Sequence, residues 1–393
     1  MISKLSSIKL FEKPLGMRDT FPQIYEQVEY IRQTGRNVLK NHGYAFVKTP
    51  ALEYYDTVGK ASAIHDATLF KLVDTQGNTL VLRPDMTTPI TRLVTSKLLK
   101  EKNPQRLAYF ASVFRAQQQE GGRPAQFEQM GIELIGDQSF YGDAEVIAVC
   151  IELLKELGVN DFKMTLGHAG VLACILKDYT ETDQQANALN ELLVERNFVG
   201  FEEAVKAFEL PVTKENALLS FINVALNGSD IKQIEQFIRN NGDLHYLQQL
   251  MNVLTEAGYA KYITIDFTLA SYMSYYTGML FEVYATGTGF SIGNGGRYDG
   301  LLEYFNHTAG ATGFSLRVDR LLEVLPFQQQ TVKQVAVLFD EQNFLKALQV
   351  AKTLREEGAE VTLQAFEQVP DLDAYKAHYN EVVELVSEGE STK

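Results

Sequence analysis

Arg106–Gly136 reads RLAYFASVFRAQQQEGGRPAQFEQMGIELIG, two apolar runs around a polar middle. Leu107–Phe114 and Phe127–Ile135 combine aromatic, β-branched and aliphatic residues at strand length, and Arg115–Gln126 is a polar loop. Gln129 and Glu133 lie four apart on the second run, so the period of two puts both on one face of the sheet. Arg115 falls at the end of the first run.

Working outward, residues 1–21 are irregular, and the spacing of Ile24, Val28, Ile31, Val38 and Leu39 predicts a helix over Gln23–Lys40. Tyr44–Thr49 reads as a strand closed by Pro50. Thr68–Val73 and Thr79–Arg83 read as a hairpin about Gln76-Gly77-Asn78, with a helix over Thr88–Leu99. On the other side, Asp143 is placed to cap a helix running to Leu157, followed by a strand at Phe162–Leu166 and a helix at Ala169–Lys177. From about residue 179 to 258 alternation disappears and helix formers dominate, which predicts a helical insertion. Strand signals resume at Tyr262–Leu269 and continue through Ala285; Gly293–Gly300 reads as a glycine-rich turn, and a helix runs from Leu316 to Pro326. Beyond a glutamine-rich link, Val335–Phe339, Asn343–Glu357, Glu360–Ala365 and Val382–Val386 suggest a small α/β unit.

Strands separated by helices, with several hairpins, argue for an α+β fold: a mostly antiparallel sheet flanked by helices. The expected domains are a core over 1–326 with its helical insertion at about 179–258, a linker over 327–334, and the α/β unit over 335–393.

The 393 residues are 45% hydrophobic and 22% charged, an ordinary globular composition with room for two or three domains. No apolar run approaches the roughly 18 residues of a membrane span. The N-terminal MISKLSSIKLFEKP has no apolar signal core, so a cytoplasmic location is expected. Cys150 and Cys174 fit no CxxC pattern and are expected to be buried free thiols. The six histidines show no HxxxH spacing, and neither metal nor cofactor is expected. A net charge of −14 argues against a large nucleic-acid surface, because phosphate affinity rests on lysine and arginine.

Several groups suit a polar ligand, and each has a second reading. Asp85 and Thr87, where a strand meets a helix, suit an ammonium group, or simply cap the helix. Arg115, Gln129 and Glu133 suit a carboxylate or phosphate beside an amine, or form a satisfied polar face. In Gly313–Leu322, read as a glycine leading into an amphipathic helix, Arg320 suits a phosphate, or joins Asp319 and Glu323 on a solvated face. There is no Walker loop, no GxGxxG after a strand and no GxSxG elbow.

Taken in order over about residues 10–325, these segments resemble class II aminoacyl-tRNA synthetases, most closely histidyl-tRNA synthetase. Gly43–Glu53 resembles motif 1, Arg106–Gly136 motif 2 and Gly313–Leu322 motif 3. Leu82-Arg83-Pro84-Asp85, Tyr275-Tyr276-Thr277-Gly278 and Gly295–Gly300 resemble elements of the histidine enzyme. The resemblance implies a histidine pocket made by Asp85, Thr87, Arg115, Gln129, Glu133, Tyr275 and Tyr276, with the Gly295–Gly300 stretch and its Arg297 on the same side.

The departures fall in the adenylating half. Leu269–Tyr276 carries Ser271 where the enzyme has an arginine, and the motif 2 loop reads Ala116-Gln117-Gln118-Gln119, although Gly122-Arg123 still fits. The tail after Gln334 is shorter than the family's anticodon-binding domain. This pattern resembles the ATP phosphoribosyltransferase regulatory subunits, a non-catalytic offshoot of the synthetases. It implies a subunit without catalysis or tRNA charging, a homodimeric core, assembly with a short catalytic phosphoribosyltransferase subunit, and L-histidine as effector of the first step of histidine biosynthesis. A divergent histidyl-tRNA synthetase, or a synthetase-like protein with another amino-acid or RNA role, are the alternatives.

Overall fold

The long strand pair read from the sequence is the middle of an eight-stranded sheet. The computed structural model describes residues 12–99, 104–116, 124–226, 231–239, 242–271, 273, 275–326 and 332–387. Contacts divide the chain into two units, Met1–Pro326 and Phe327–Lys393. The expected linker lies mostly outside the described residues, as does most of the motif 2 loop.

The strands of the first unit are β1 (Ala45–Phe46), β2 (Leu52–Tyr54), β3 (Lys71–Val73), β4 (Thr79–Leu82), β5 (Gln105–Phe114), β6 (Gln126–Ile135), β7 (Phe162–His168), β8 (Ile263–Ile265), β9 (Met279–Ala285), β10 (Gly293–Arg297) and β11 (Ala311–Arg317). Its helices are α1 (Pro22–Asn41), α2 (Thr87–Leu93), α3 (Phe140–Glu156), α4 (Ala169–Tyr179), α5 (Asp183–Val194), α6 (Phe198–Ala207), α7 (Val212–Leu226), α8 (Ile231–Ile234), α9 (Gly242–Glu256), α10 (Asp299–Tyr304) and α11 (Val318–Val324).

The large sheet runs β1-β5-β6-β11-β10-β9-β7-β8. Its interior pairs are antiparallel, and only the outer pairs β1–β5 and β7–β8 are parallel, as the α+β reading expected. A small antiparallel sheet, β2-β4-β3, stands beside it. Both faces of β6 are covered. Met130, Ile132 and Leu134 join α1 and α3 in the main core, while Phe127 and Ile135 face a second cluster with Met86, Ile90 and Tyr298. That second face also carries Gln129 and Glu133, so two polar side chains are buried in apolar surroundings. The described residues of 183–256 are helical wherever they carry regular structure, and Leu189, Phe201, Phe221, Leu247 and Leu250 join the same core as α3 and α4.

Four local expectations change. Strand structure does not continue from Tyr262 to Ala285: Asp266 accepts hydrogen bonds from the Thr268 amide and hydroxyl at 2.8 and 2.6 Å, and this turn ends β8. Gly293–Arg297 is not a turn but the interior strand β10. Its glycines serve packing: a Cβ at Gly295 would stand 2.5 Å from the Phe281 ring. The helix expected from Leu316 starts at Val318, because Ala311–Arg317 pairs with β6 and β10. Asp143 does not cap α3. Ser139 does, and Asp143 is fully buried against Arg297 instead. Shorter differences are that only Ala45–Phe46 of Tyr44–Thr49 pairs as strand, and that regular α-helix after Thr87 ends at Leu93 before a wider turn over Val94–Leu98. Neither cysteine is in a disulfide, and Cys150 is buried whereas Cys174 is only half-buried.

The second unit contains β12 (Gln334–Phe339), α12 (Phe344–Glu356), β13 (Glu360–Ala365), α13 (Leu372–Lys376) and β14 (Glu381–Leu385). Its sheet is parallel, ordered β13-β12-β14, and Ala347 and Ala351 of α12 pack on Val335 and Val337.

Candidate ligand-binding site

A cavity of about 330 Å³ opens on the face of β6 that carries Gln129 and Glu133. Asp85, Thr87, Arg115, Gln129, Glu133, Tyr275 and Tyr276 all border it, so residues spread over nearly two hundred positions meet at one place. The sheet supplies Gln129 and Glu133, and Arg115 follows directly on β5; Thr87 opens α2 with Asp85 just before it; the irregular segment before β9 supplies Tyr275 and Tyr276.

Glu133 is the deepest charged group. One carboxylate oxygen accepts the Thr87 hydroxyl at 2.8 Å and the other the Tyr298 hydroxyl at 2.5 Å. Burial raises its pKa, the two hydroxyls lower it and the neighbouring Asp85 charge raises it, which together leave it at about 8. The raised pKa moves Glu133 toward its protonated form near neutral pH. A ligand N–H or cation placed against it would favour the carboxylate.

Asp85 accepts the Ser62 hydroxyl at 2.5 Å and the Thr88 amide at 2.8 Å. It thus holds the start of α2 and borders the cavity at once. Arg115 is oriented by donation from Nε to the Pro84 carbonyl at 3.0 Å. Gln129 reaches Ser315 at 3.4 Å, and Asn294 donates to the Tyr276 hydroxyl at 3.3 Å. Tyr275 meets Tyr276 and Tyr298 edge-on at 5.1 and 5.8 Å. Burial holds the phenols of Tyr109, Tyr275 and Tyr298 well above their usual pKa, so each remains a hydroxyl donor. The arrangement offers two acidic side chains, one guanidinium and several hydroxyls around a small aromatic-walled space. That set suits an amino acid with a nitrogen-bearing side chain.

Sequence reasoning missed Tyr109, Tyr298, Asn294 and Ser315, which also border the cavity. Tyr298 and Asn294 lie in the glycine-rich stretch already singled out. Tyr109 and Ser315 sit on strands opposite Gly131, a register the sequence does not print. Arg297 is the reverse case. It was placed on the ligand side, but it points away into a buried pair with Asp143.

A second cavity, about 410 Å³, shares Arg115, Gln129 and Asn294 with the first. It is further lined by Ser271, Glu282, Ser291, Arg317 and Arg320. Arg320 is therefore not on a solvated face; it donates to the Ser291 carbonyl. Arg317 pairs with Asp319 at 2.7 Å and covers the Phe127 ring at 3.7 Å. Ser271 accepts the Met273 amide at 3.0 Å and brings no charge. Among the described residues no group of three or more His, Cys, Asp or Glu side chains is placed to hold a metal ion, and no helix is long and apolar enough to cross a membrane.

Comparison with known proteins places these features. A family model described as histidyl-tRNA synthetase matches residues 16–321, and one described as the C-terminal domain of histidyl-tRNA synthetase HisZ matches residues 336–387. An ATP phosphoribosyltransferase regulatory subunit of Lysinibacillus sphaericus is 64% identical over 95% of this chain and 97% of its own length. A protein of that description from Bacillus subtilis is 43% identical over 93% of this chain and 94% of its own. Among solved structures, an ATP phosphoribosyltransferase regulatory subunit/histidyl-tRNA synthetase from Bacillus halodurans superposes with a TM-score of 0.88 at 41% identity, covering 96% of this chain and 99% of the other. The Nostoc histidyl-tRNA synthetase, at 20% identity and a TM-score of 0.74 over 93% of this chain and 88% of its own, shares the fold.

Proposed function

The chain belongs to the ATP phosphoribosyltransferase regulatory subunits, on a histidyl-tRNA synthetase fold, and from that premise we propose that it is a non-catalytic histidine sensor required by a short catalytic subunit. The observation that carries this reading is the contrast between neighbouring cavities: seven side chains suited to histidine border one, and uncharged Ser271 borders the other. In the pocket, Asp85 and Glu133 accept from the ammonium and the imidazole N–H, Arg115 takes the carboxylate, and Tyr275 and Tyr276 wall the ring.

Adenylate formation needs positive charge where negative charge develops on phosphate. Removing one such group commonly costs on the order of 100- to 1000-fold in rate. Ser271 in place of arginine therefore supports recognition without activation. Histidine then regulates by binding one state of the complex better than another. The core pairs with a second copy, a reading supported by exposed apolar side chains on α1 and the small sheet, among them Ile24, Tyr25, Leu52 and Tyr54. The protein works in the cytoplasm.

The test is reconstitution. A short-form catalytic subunit should be inactive alone and active when mixed with this chain; a mixture that stays inactive overturns the assignment. Arg115 and Arg320, retained at the second cavity, favour one other reading, a divergent histidyl-tRNA synthetase. Histidine-dependent exchange of pyrophosphate into ATP would establish it.

A further inference from the structure

Arg297 touches no ligand space, yet it is among the most fully engaged side chains of the core. Its Nε and Nη2 donate to the two Asp143 oxygens at 3.1 and 2.8 Å. Nη1 and Nη2 also donate to the Asp137 and Ser139 carbonyls at 2.9 and 3.1 Å. Its own carbonyl accepts the Thr277 amide at 2.8 Å, directly after the Tyr275-Tyr276 pair. The next residue, Tyr298, donates to Glu133. Arg297 thus joins the segments that carry Tyr275, Tyr276 and Tyr298.

The carboxylate that holds Arg297 is completed from elsewhere. Tyr246, on α9 of the helical insertion, donates its hydroxyl to Asp143 at 2.7 Å. Asp143 is fully buried and Arg297 nearly so, at 0% and 5% exposure. A buried carboxylate needs its hydrogen bonds, and its orientation sets that of the guanidinium paired with it. The Tyr246 ring is itself held edge-on against Phe140 and His168, at 6.0 and 6.1 Å, so the hydroxyl is aimed rather than free to swing.

We propose that Tyr246 is a positioning residue for the ligand pocket, acting from the helical insertion through Asp143 and Arg297 on Tyr298 and Glu133. Among the described residues the insertion contributes no side chain to the pocket wall, but its seating and the pocket's occupancy are linked, each favouring the other. This rests on the histidine-sensing reading for its ligand, although the relay itself does not.

The experiment uses the full chain as wild type, Tyr246→Phe and Leu250→Ala. Leu250 is a fully buried residue of the same helix with no part in the relay. Calorimetric titration with L-histidine gives Kd, thermal unfolding gives Tm, and hydrogen exchange reports the amides of Gly295–Tyr298 in the ligand-free protein. Tyr246→Phe should weaken histidine by about 5- to 20-fold, as loss of one charge-assisted hydrogen bond implies, and speed exchange at Gly295–Tyr298. Leu250→Ala should lower Tm at least as far while leaving Kd within about twofold and that exchange unchanged, as a cavity away from the relay implies. A Kd for Tyr246→Phe within about twofold of wild type, or equal weakening in both variants, overturns the proposal. Should wild type take up no histidine, the sensing reading falls, and the exchange rates alone decide the relay: unchanged rates in Tyr246→Phe overturn it.

Discussion

Gly313 faces Glu133 across the β6–β11 pair, and a Cβ at Gly313 would lie 2.2 Å from a Glu133 carboxylate oxygen. The missing side chain is the space the acid occupies. Gly313→Ala should therefore displace Glu133 and abolish histidine binding, with a stability loss of about 1–3 kcal/mol from overpacking. Calorimetry and urea unfolding on the same preparation measure both; unaltered binding would mean that Glu133 is not a ligand.

The raised pKa of Glu133 gives a pH signature. Its folded pKa, about 8, lies above the ordinary value of 4.5, so between these the native state binds more protons than the unfolded one. Stability of the ligand-free protein should fall as pH rises through that window, by up to about 1.4 kcal/mol per pH unit from this group. Glu133→Gln should flatten the profile, as read by denaturant midpoints between pH 5 and 8.

In the proposed complex, pairing with histidine favours the carboxylate, so binding at pH 7.5 should release part of a proton. Titrations in buffers of different ionisation enthalpy should show net release in wild type and none in Glu133→Gln. Equal proton counts in the two would place the titrating group elsewhere.

Arg297→Ala should be the most damaging single change considered, on the order of 3–5 kcal/mol, because it strands the buried Asp143 carboxylate. Asp143→Asn should recover part of that loss in the double variant, by removing the unpaired charge.

Every described residue bordering the first cavity lies within Met1–Pro326. A chain ending at Pro326 should bind histidine with unchanged affinity, measured by calorimetry. Loss of binding in a folded truncation would bring the second unit into ligand recognition.

Much of this was legible in the sequence, and the failures have physical causes. The β5–β6 pair was plain because alternation and a polar loop are local signals, and the helical insertion because its period changes. Gly293–Arg297 misled because glycine serves two ends: it permits tight turns, and it permits close approach of strands, as at Gly295 over Phe281. Asp143 carried the chemistry of a helix cap, but its true partner, Arg297, is 154 residues away. Tyr109 was not singled out within its apolar strand, since a phenol that walls a cavity looks like any apolar ring until its hydroxyl is placed.

The central claim is that this pocket senses histidine on behalf of a partner enzyme. Its most direct test is the phosphoribosyltransferase rate of a short catalytic subunit mixed with this chain, wild type or Glu133→Ala, across a histidine titration. Both mixtures should be active, histidine should inhibit the wild-type mixture, and Glu133→Ala should assemble normally yet lose most of that inhibition. Equal inhibition of the two mixtures would contradict the account and place the effector on the catalytic subunit.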